Sequence, residues 1–143
     1  MSSKPCVFCA IIEGHAAGSI VAEGPAFVAF LDITPLFHGH VLLVPRLHRE
    51  TLVDLEPELV DPIFSAARRM ASVVQTAMGA EGTFVAMNNK VSQSVPHLHV
   101  HVVPRTKGDG LKGFFWPRKK YATAEEREAV RHKIASTWVD AAP

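Results

Sequence analysis

The 143-residue sequence has only two cysteines, one tyrosine, no long apolar run and almost no net charge, its formal balance being +1. Each shortage excludes something. Without an excess of Lys and Arg to displace phosphate counterions, a protein held stably on nucleic acid by bulk electrostatics is not expected. The longest apolar runs, such as Val41-Leu42-Leu43-Val44, fall far short of the ~20 residues that a bilayer-spanning helix needs. Met1-Ser2-Ser3-Lys4-Pro5 lacks the apolar stretch of a secretory signal. A cytoplasmic protein with no membrane partner is therefore expected. The two cysteines, Cys6 and Cys9, stand in Cys-x-x-Cys spacing. In a reducing compartment that spacing points to a metal site or a redox pair before a structural disulfide. Two thiolates do not close a tetrahedral site, and the eight histidines are the other available ligands.

What is present is an ordinary globular composition, 48% hydrophobic and 20% charged, with no internal repeat or linker, so residues 1–143 read as one domain. Ala26 to Asp32 reads as a strand, Thr34 to Gly39 as a turn-rich break, and His40 to Pro45 as a second, buried strand. Apolar residues at Leu59, Ile63, Ala67, Met70, Val74 and Ala77 keep three- and four-residue steps and predict a helix. Gly79 is its natural stop. Asp61-Pro62 suits an N-cap followed by a first-turn proline, so this helix is expected to start or kink near Pro62. Thr83 to Asn88 and His97 to Pro104 read as two more strands, and Thr123 with Glu126 forms a capping-box pattern opening a C-terminal helix over about 123–138. The order predicts an α+β fold: an antiparallel sheet of about five strands, one long helix and a C-terminal helix.

The chemistry concentrates in His97-Leu98-His99-Val100-His101. Side chains alternate faces along an extended chain, so the three imidazoles share one side while Leu98, Val100 and Val102 fill the core side. A lone strand histidine is usually structural. Three at period two each need hydrogen-bond partners if buried, and they suit either a shared metal ion or nucleophilic catalysis.

Around this run stand Cys6-Val7-Phe8-Cys9, Gly39-His40-Val41, Pro45-Arg46-Leu47-His48, Asn88-Asn89 and Gln93-Ser94-Val95. From about Cys6 to Arg105 this set resembles the histidine triad family of nucleotide hydrolases and transferases. The resemblance implies that His99 attacks the α-phosphorus of a nucleotide to form a covalent nucleotidyl-histidine, which water then cleaves. His101 would contact the transferred phosphate and help the leaving group depart. A histidine at this position, where the galactose-1-phosphate uridylyltransferase branch has glutamine, favours hydrolysis over transfer. His40 would support the triad from the neighbouring strand. Asn88, Gln93 and Ser94 would form the phosphate loop, Asp32 would bind the ribose, and Phe8, Ile11, Phe30 and Ile33 would sandwich the base.

The same resemblance implies a structural zinc held by Cys6, Cys9, His48 and His97, no organic cofactor, and a homodimer joined through the long helix and a sheet edge. The implied substrate is purine-linked. A dinucleoside polyphosphate is favoured by the basic and aromatic segment 106–121, with Arg105 before it, where Lys107, Lys112, Arg118, Lys119 and Lys120 would meet phosphates and Trp116 or Tyr121 could stack. A nucleoside phosphoramidate or acyl-nucleotide is the alternative. A nucleotide-binding regulatory protein with slow hydrolysis, and a metallohydrolase using all three histidines as ligands, are the competing classes. Where relatives usually place glycine before the glutamine, this chain has Ser92.

Overall fold

A computed structural model describes residues 5–112 and 118–141. The chain divides into two compact units, Met1–Asp109 and Gly110–Pro143. The first holds α1 (Val7–Ile12), β1 (Ile20–Glu23), β2 (Phe27–Leu31), β3 (Val41–Pro45), a short 3₁₀ turn (Leu52–Asp54), α2 (Pro57–Ala77), β4 (Gly82–Ala86) and β5 (Val100–Arg105). The second holds α3 (Ala124–Asp140). The five strands form one sheet in the order β1-β2-β3-β5-β4, and every neighbouring pair is antiparallel. The expected α+β architecture is present.

The sheet has two differently used faces. Ala29, Val41, Leu43, Leu98, Val100 and Val102 face α2, whose Ile63, Ala67, Met70 and Val74 close the main core. The helical spacing read from the sequence thus marks the buried stripe of α2. Val28, Phe30, Leu42 and Val44 face the other way and pack with Phe8 of α1. The histidines lie on this second side.

Several boundaries differ from the sequence-based expectation. α2 starts at Pro57 behind the N-cap Glu56, so Pro62 lies inside the helix. Pro62 sits on the exposed side, as does Glu58, whose carbonyl loses its N–H partner, so the buried stripe is undisturbed. β5 starts at Val100, three residues after His97. His97 to His99 form an extended lead-in, in which the Leu98 N–H donates to Arg49 O at 2.7 Å. β1 is a short, half-exposed edge strand with a bulge. α1 begins without the usual Ser, Thr, Asp or Asn cap; the Cys6 sulfur accepts from the Cys9 N–H at 3.4 Å instead. In α3 the expected cap is present, with Thr123 Oγ1 accepting from the Glu126 N–H at 3.0 Å. Ile134 and Trp138, four residues apart on α3, are exposed. No helix among the described residues is long and apolar enough to cross a membrane.

Candidate active site and metal centre

His97 and His99 are buried, and His101 is half-buried at the start of β5. Leu42 of β3 is the register partner of His101, and His40 precedes it by two residues, on the same side of the sheet. His40 therefore reaches His101 along the diagonal between adjacent strands. Their rings meet with His40 Nε2 2.9 Å from His101 Nδ1.

Backbone groups fix which nitrogen of each ring carries the proton. His97 Nε2 lies 2.9 Å from Pro45 O, and His99 Nδ1 lies 2.8 Å from His97 O. A carbonyl only accepts, so His97 is protonated at Nε2 and His99 at Nδ1. His97 then offers the lone pair of Nδ1, and His99 that of Nε2. Two residues apart, the rings present opposite nitrogens.

The free nitrogen of His97 faces the cysteines. Cys6 Sγ is 3.4 Å and Cys9 Sγ 3.6 Å from His97 Nδ1, and His48 Nδ1 is 3.4 Å from Cys9 Sγ. The four donor atoms all lie within 4.8 Å of one another. A tetrahedral zinc, with bonds of about 2.3 Å to sulfur and about 2.0 Å to nitrogen, separates its S and N ligands by about 3.5 Å. The cluster fits zinc, and the Pro45 carbonyl supplies the outer hydrogen bond that orients a ligating imidazole. Burial first and the adjacent Cys6 second push the Cys9 thiol up to about 11.

Asp32, His40 and His101 form a second group of closely spaced donors, but its hydrogen bonds describe a relay. The Leu36 N–H donates to His40 Nδ1 at 3.0 Å, which leaves the His40 proton on Nε2. That nitrogen donates to His101 Nδ1, so His101 carries its own proton on Nε2. A protonated ring nitrogen is not a metal ligand, whereas an N–H at the end of this chain is a positioned donor. Burial, together with its histidine neighbours, lowers His101 to about 4, and burial lowers His40 against the pull of Asp32. The pair is therefore neutral at pH 7.

The other expected site residues sort into groups. Phe8 and Phe30 are buried and meet edge-on at 5.3 Å between centroids; Phe8 also touches His97 and His99 edge-on, at 5.9 and 5.2 Å. In the described protein they are core supports of the histidine face. Ile11 packs against the same cluster, whereas Ile33 is 93% exposed. Asp32 Oδ1 accepts from Thr34 N at 2.9 Å and Thr34 Oγ1 at 3.2 Å, and Oδ2 stands 3.6 Å from His40 Nε2. Asn88 Nδ2 donates to Ser92 O at 3.2 Å, which closes the expected phosphate loop on itself. Ser94 is exposed. The Gln93 amide is engaged at both ends, accepting from Lys90 N at 2.9 Å and donating to Glu50 O at 2.6 Å.

Just before the basic segment, Arg105 pairs with Asp109 at 2.6 Å. Arg118, Lys119, Lys120 and Tyr121 are exposed, and the expected stacking residue Trp116 lies outside the described residues. Leu36 and Glu50 escaped the sequence reading, and Pro45 and Asn89 stood in the family set without a role of their own. Three of these four act through the backbone, and only Asn89, in a polar stretch beside Asn88, left a side-chain signal.

A family model described as "HIT domain" matches residues 13–108. The adenosine 5'-monophosphoramidase hnt1 of Schizosaccharomyces pombe is 32% identical, over 92% of this chain and 96% of that one. The adenylylsulfatase HINT3 of Arabidopsis thaliana is 33% identical, over 74% of this chain and 55% of that one. A Zn-bound histidine triad family protein from Mycobacterium smegmatis has a solved structure that superposes with a TM-score of 0.71 and 33% identity, covering 95% of this chain and 97% of that one.

Proposed function

Because the chain belongs to the HIT domain family, we propose that it is a hydrolase that cleaves nucleotides at the α-phosphate through a covalent nucleotidyl-His99 intermediate. The observation that carries this reading is the His99 tautomer: Nδ1–H is tied to His97 O, which leaves the Nε2 lone pair as a fixed nucleophile. In the first displacement the Nε2–P bond forms and the bond from phosphorus to the leaving group breaks, its electron pair leaving with that group. The His101 Nε2–H, oriented through His40 and Leu36, hydrogen-bonds the phosphoryl oxygen or the departing nitrogen or oxygen as charge develops there, and a departing amine takes up a proton from solvent. In the second, a water oxygen bonds to phosphorus, the P–Nε2 electron pair returns to His99, and the water proton passes to solvent. Asp32 would accept from the ribose hydroxyls, Ile33 and Ile11 would flank the base over the Phe8–Phe30 support, and Ser94 and the loop from Asn88 through Gln93 would receive the phosphate.

The substrate we favour is an adenosine 5'-monophosphate carrying an amine leaving group, as the name of the fission-yeast relative suggests, or an acyl-type one. A dinucleoside polyphosphate is the second reading, supported by the exposed Arg118, Lys119 and Lys120. Zinc at Cys6, Cys9, His48 and His97 would pin α1 to the sheet and take no part in bond breaking. A cytoplasmic homodimer joined through α2 and a sheet edge completes the proposal, and a single-chain sedimentation mass would contradict that part.

Trapping under an alkaline quench, in which a P–N bond to histidine survives, tests the mechanism. On brief mixing with adenosine 5'-phosphoramidate, intact-mass spectrometry is expected to find one adenylyl group per chain, on His99, and none in His99→Asn. Turnover without an adduct, or an adduct elsewhere, would refute it. Comparing the phosphoramidate with dinucleoside tri- and tetraphosphates decides between the substrates, and triple alanine replacement of Arg118, Lys119 and Lys120 is expected to weaken only the latter.

A further inference from the structure

We propose that Gln93 is a positioning residue, clamping the phosphate-binding loop to the His48–Leu52 stretch and so tying the shape of that loop to the metal centre. The inference rests on the reading of residues 88–95 as the phosphate loop.

Three separate bonds join the loop to that stretch. Gln93 Nε2 donates to Glu50 O at 2.6 Å, Lys90 Nζ meets Glu50 Oε1 at 2.8 Å, and the Leu52 N–H donates to Asn89 Oδ1 at 2.7 Å. The clamped loop has a conformation that needs holding. Lys90 and Ser92 both have positive φ, 69° and 61°, the left-handed region that side chains other than glycine adopt at a cost of roughly 1 kcal/mol or more. Gln93 Oε1 stabilises this turn directly by accepting from the Lys90 N–H at 2.9 Å. One side-chain amide thus spans the strained turn and its anchor, and both of its ends are occupied.

The anchor is itself built around the metal cluster. His48 contributes a donor atom to that cluster, Arg49 O accepts from the Leu98 N–H between His97 and His99, and Glu50 and Leu52 hold the loop. Four of the five residues from His48 to Leu52 therefore contact the metal cluster, the histidine lead-in and the phosphate loop in turn. Of the three links, the Lys90–Glu50 pair is exposed on both sides and contributes little. The half-buried Gln93 amide carries the coupling.

The test is amide hydrogen exchange of the ligand-free, zinc-loaded chain, paired with AMP and adenosine binding. Gln93→Met keeps side-chain length and removes both hydrogen bonds. It is expected to speed exchange at Lys90 and its neighbours through Ser94 by about tenfold, to weaken AMP about tenfold, and to leave adenosine binding unchanged. Stripping zinc from the wild type is expected to speed the same amides, and stripping it from Gln93→Met to add little. If Gln93→Met does not fold, Gln93→Glu, which keeps the acceptor for Lys90 N–H but loses the donor to Glu50 O, serves in its place. Weaker AMP binding with unchanged exchange would make Gln93 a direct phosphate ligand and overturn the clamp. Additive effects of zinc removal would overturn the coupling. Faster exchange with no AMP binding even by the wild type would sink the nucleotide reading, and the positioning role with it.

Discussion

His97 and His99 are separated by one leucine, yet they belong to different kinds of chemistry. Both are buried, both donate one ring N–H to a main-chain carbonyl, and both touch Phe8. What differs is which nitrogen donates. Pro45 O takes the Nε2 proton of His97, so Nδ1 faces the two sulfurs and His48; His97 O takes the Nδ1 proton of His99, so Nε2 keeps the lone pair that the proposed reaction would use. The lesson is that a carbonyl behind an imidazole assigns its role as firmly as the residues in front of it.

The comparison is broken most severely at His99. His99→Asn is expected to lower kcat by about 10⁴-fold while the zinc content and melting temperature stay near wild type. Comparable loss of zinc would merge the two sites. Next in size is the metal side: Cys6→Ser or Cys9→Ser is expected to release zinc and remove about 3 kcal/mol of stability, lowering the melting temperature by roughly 10 °C. Thermal unfolding of zinc-loaded wild type against the variants checks this, and an unchanged transition would mean the cluster does not staple α1.

A smaller effect comes from acid. His40 and His101 bind protons less readily folded than unfolded. Their contribution to stability is therefore full above the unfolded value near 6.5 and is lost as pH falls from there toward about 4, where His101 titrates. Urea unfolding at pH 7.5 and 5 is expected to show the loss, and His101→Asn to reduce it. A variant as acid-sensitive as the wild type would place the proton uptake elsewhere. Smallest is Ser92→Gly, which relieves the left-handed strain at φ 61° and is expected to stabilise the chain by roughly 1 kcal/mol, while Asn88→Ala, which removes the donor to Ser92 O, acts in the opposite direction.

Much of this was legible in the sequence because it depends on short-range periodicity. Alternation placed Leu98, Val100 and Val102 in the core and the histidines opposite, and the three- and four-residue steps picked out the buried stripe of α2. The family resemblance supplied the Cys6, Cys9, His48 and His97 grouping that the structure brings within 4.8 Å. What escaped depends on where backbone atoms point. The carbonyl that fixes the His99 tautomer belongs to His97, only two residues away, but the side-chain pattern does not show that it meets Nδ1, and nothing near Gln93 marks Glu50 O, 43 residues away. β1 escaped because four residues at a half-exposed edge carry no clear alternation. α1 escaped because its cap is a cysteine sulfur, and its first residues are β-branched or aromatic.

The division between the neighbouring histidines is tested most directly by native mass spectrometry of Cys6→Ser and His99→Asn after brief mixing with adenosine 5'-phosphoramidate. Zinc per chain and adenylyl groups per chain are counted on the same ions. Cys6→Ser is predicted to lack zinc and still carry the adenylyl group, and His99→Asn to keep its zinc and carry none. If zinc is lost with His99, or the adduct forms without it, the two histidines do not divide the work in this way.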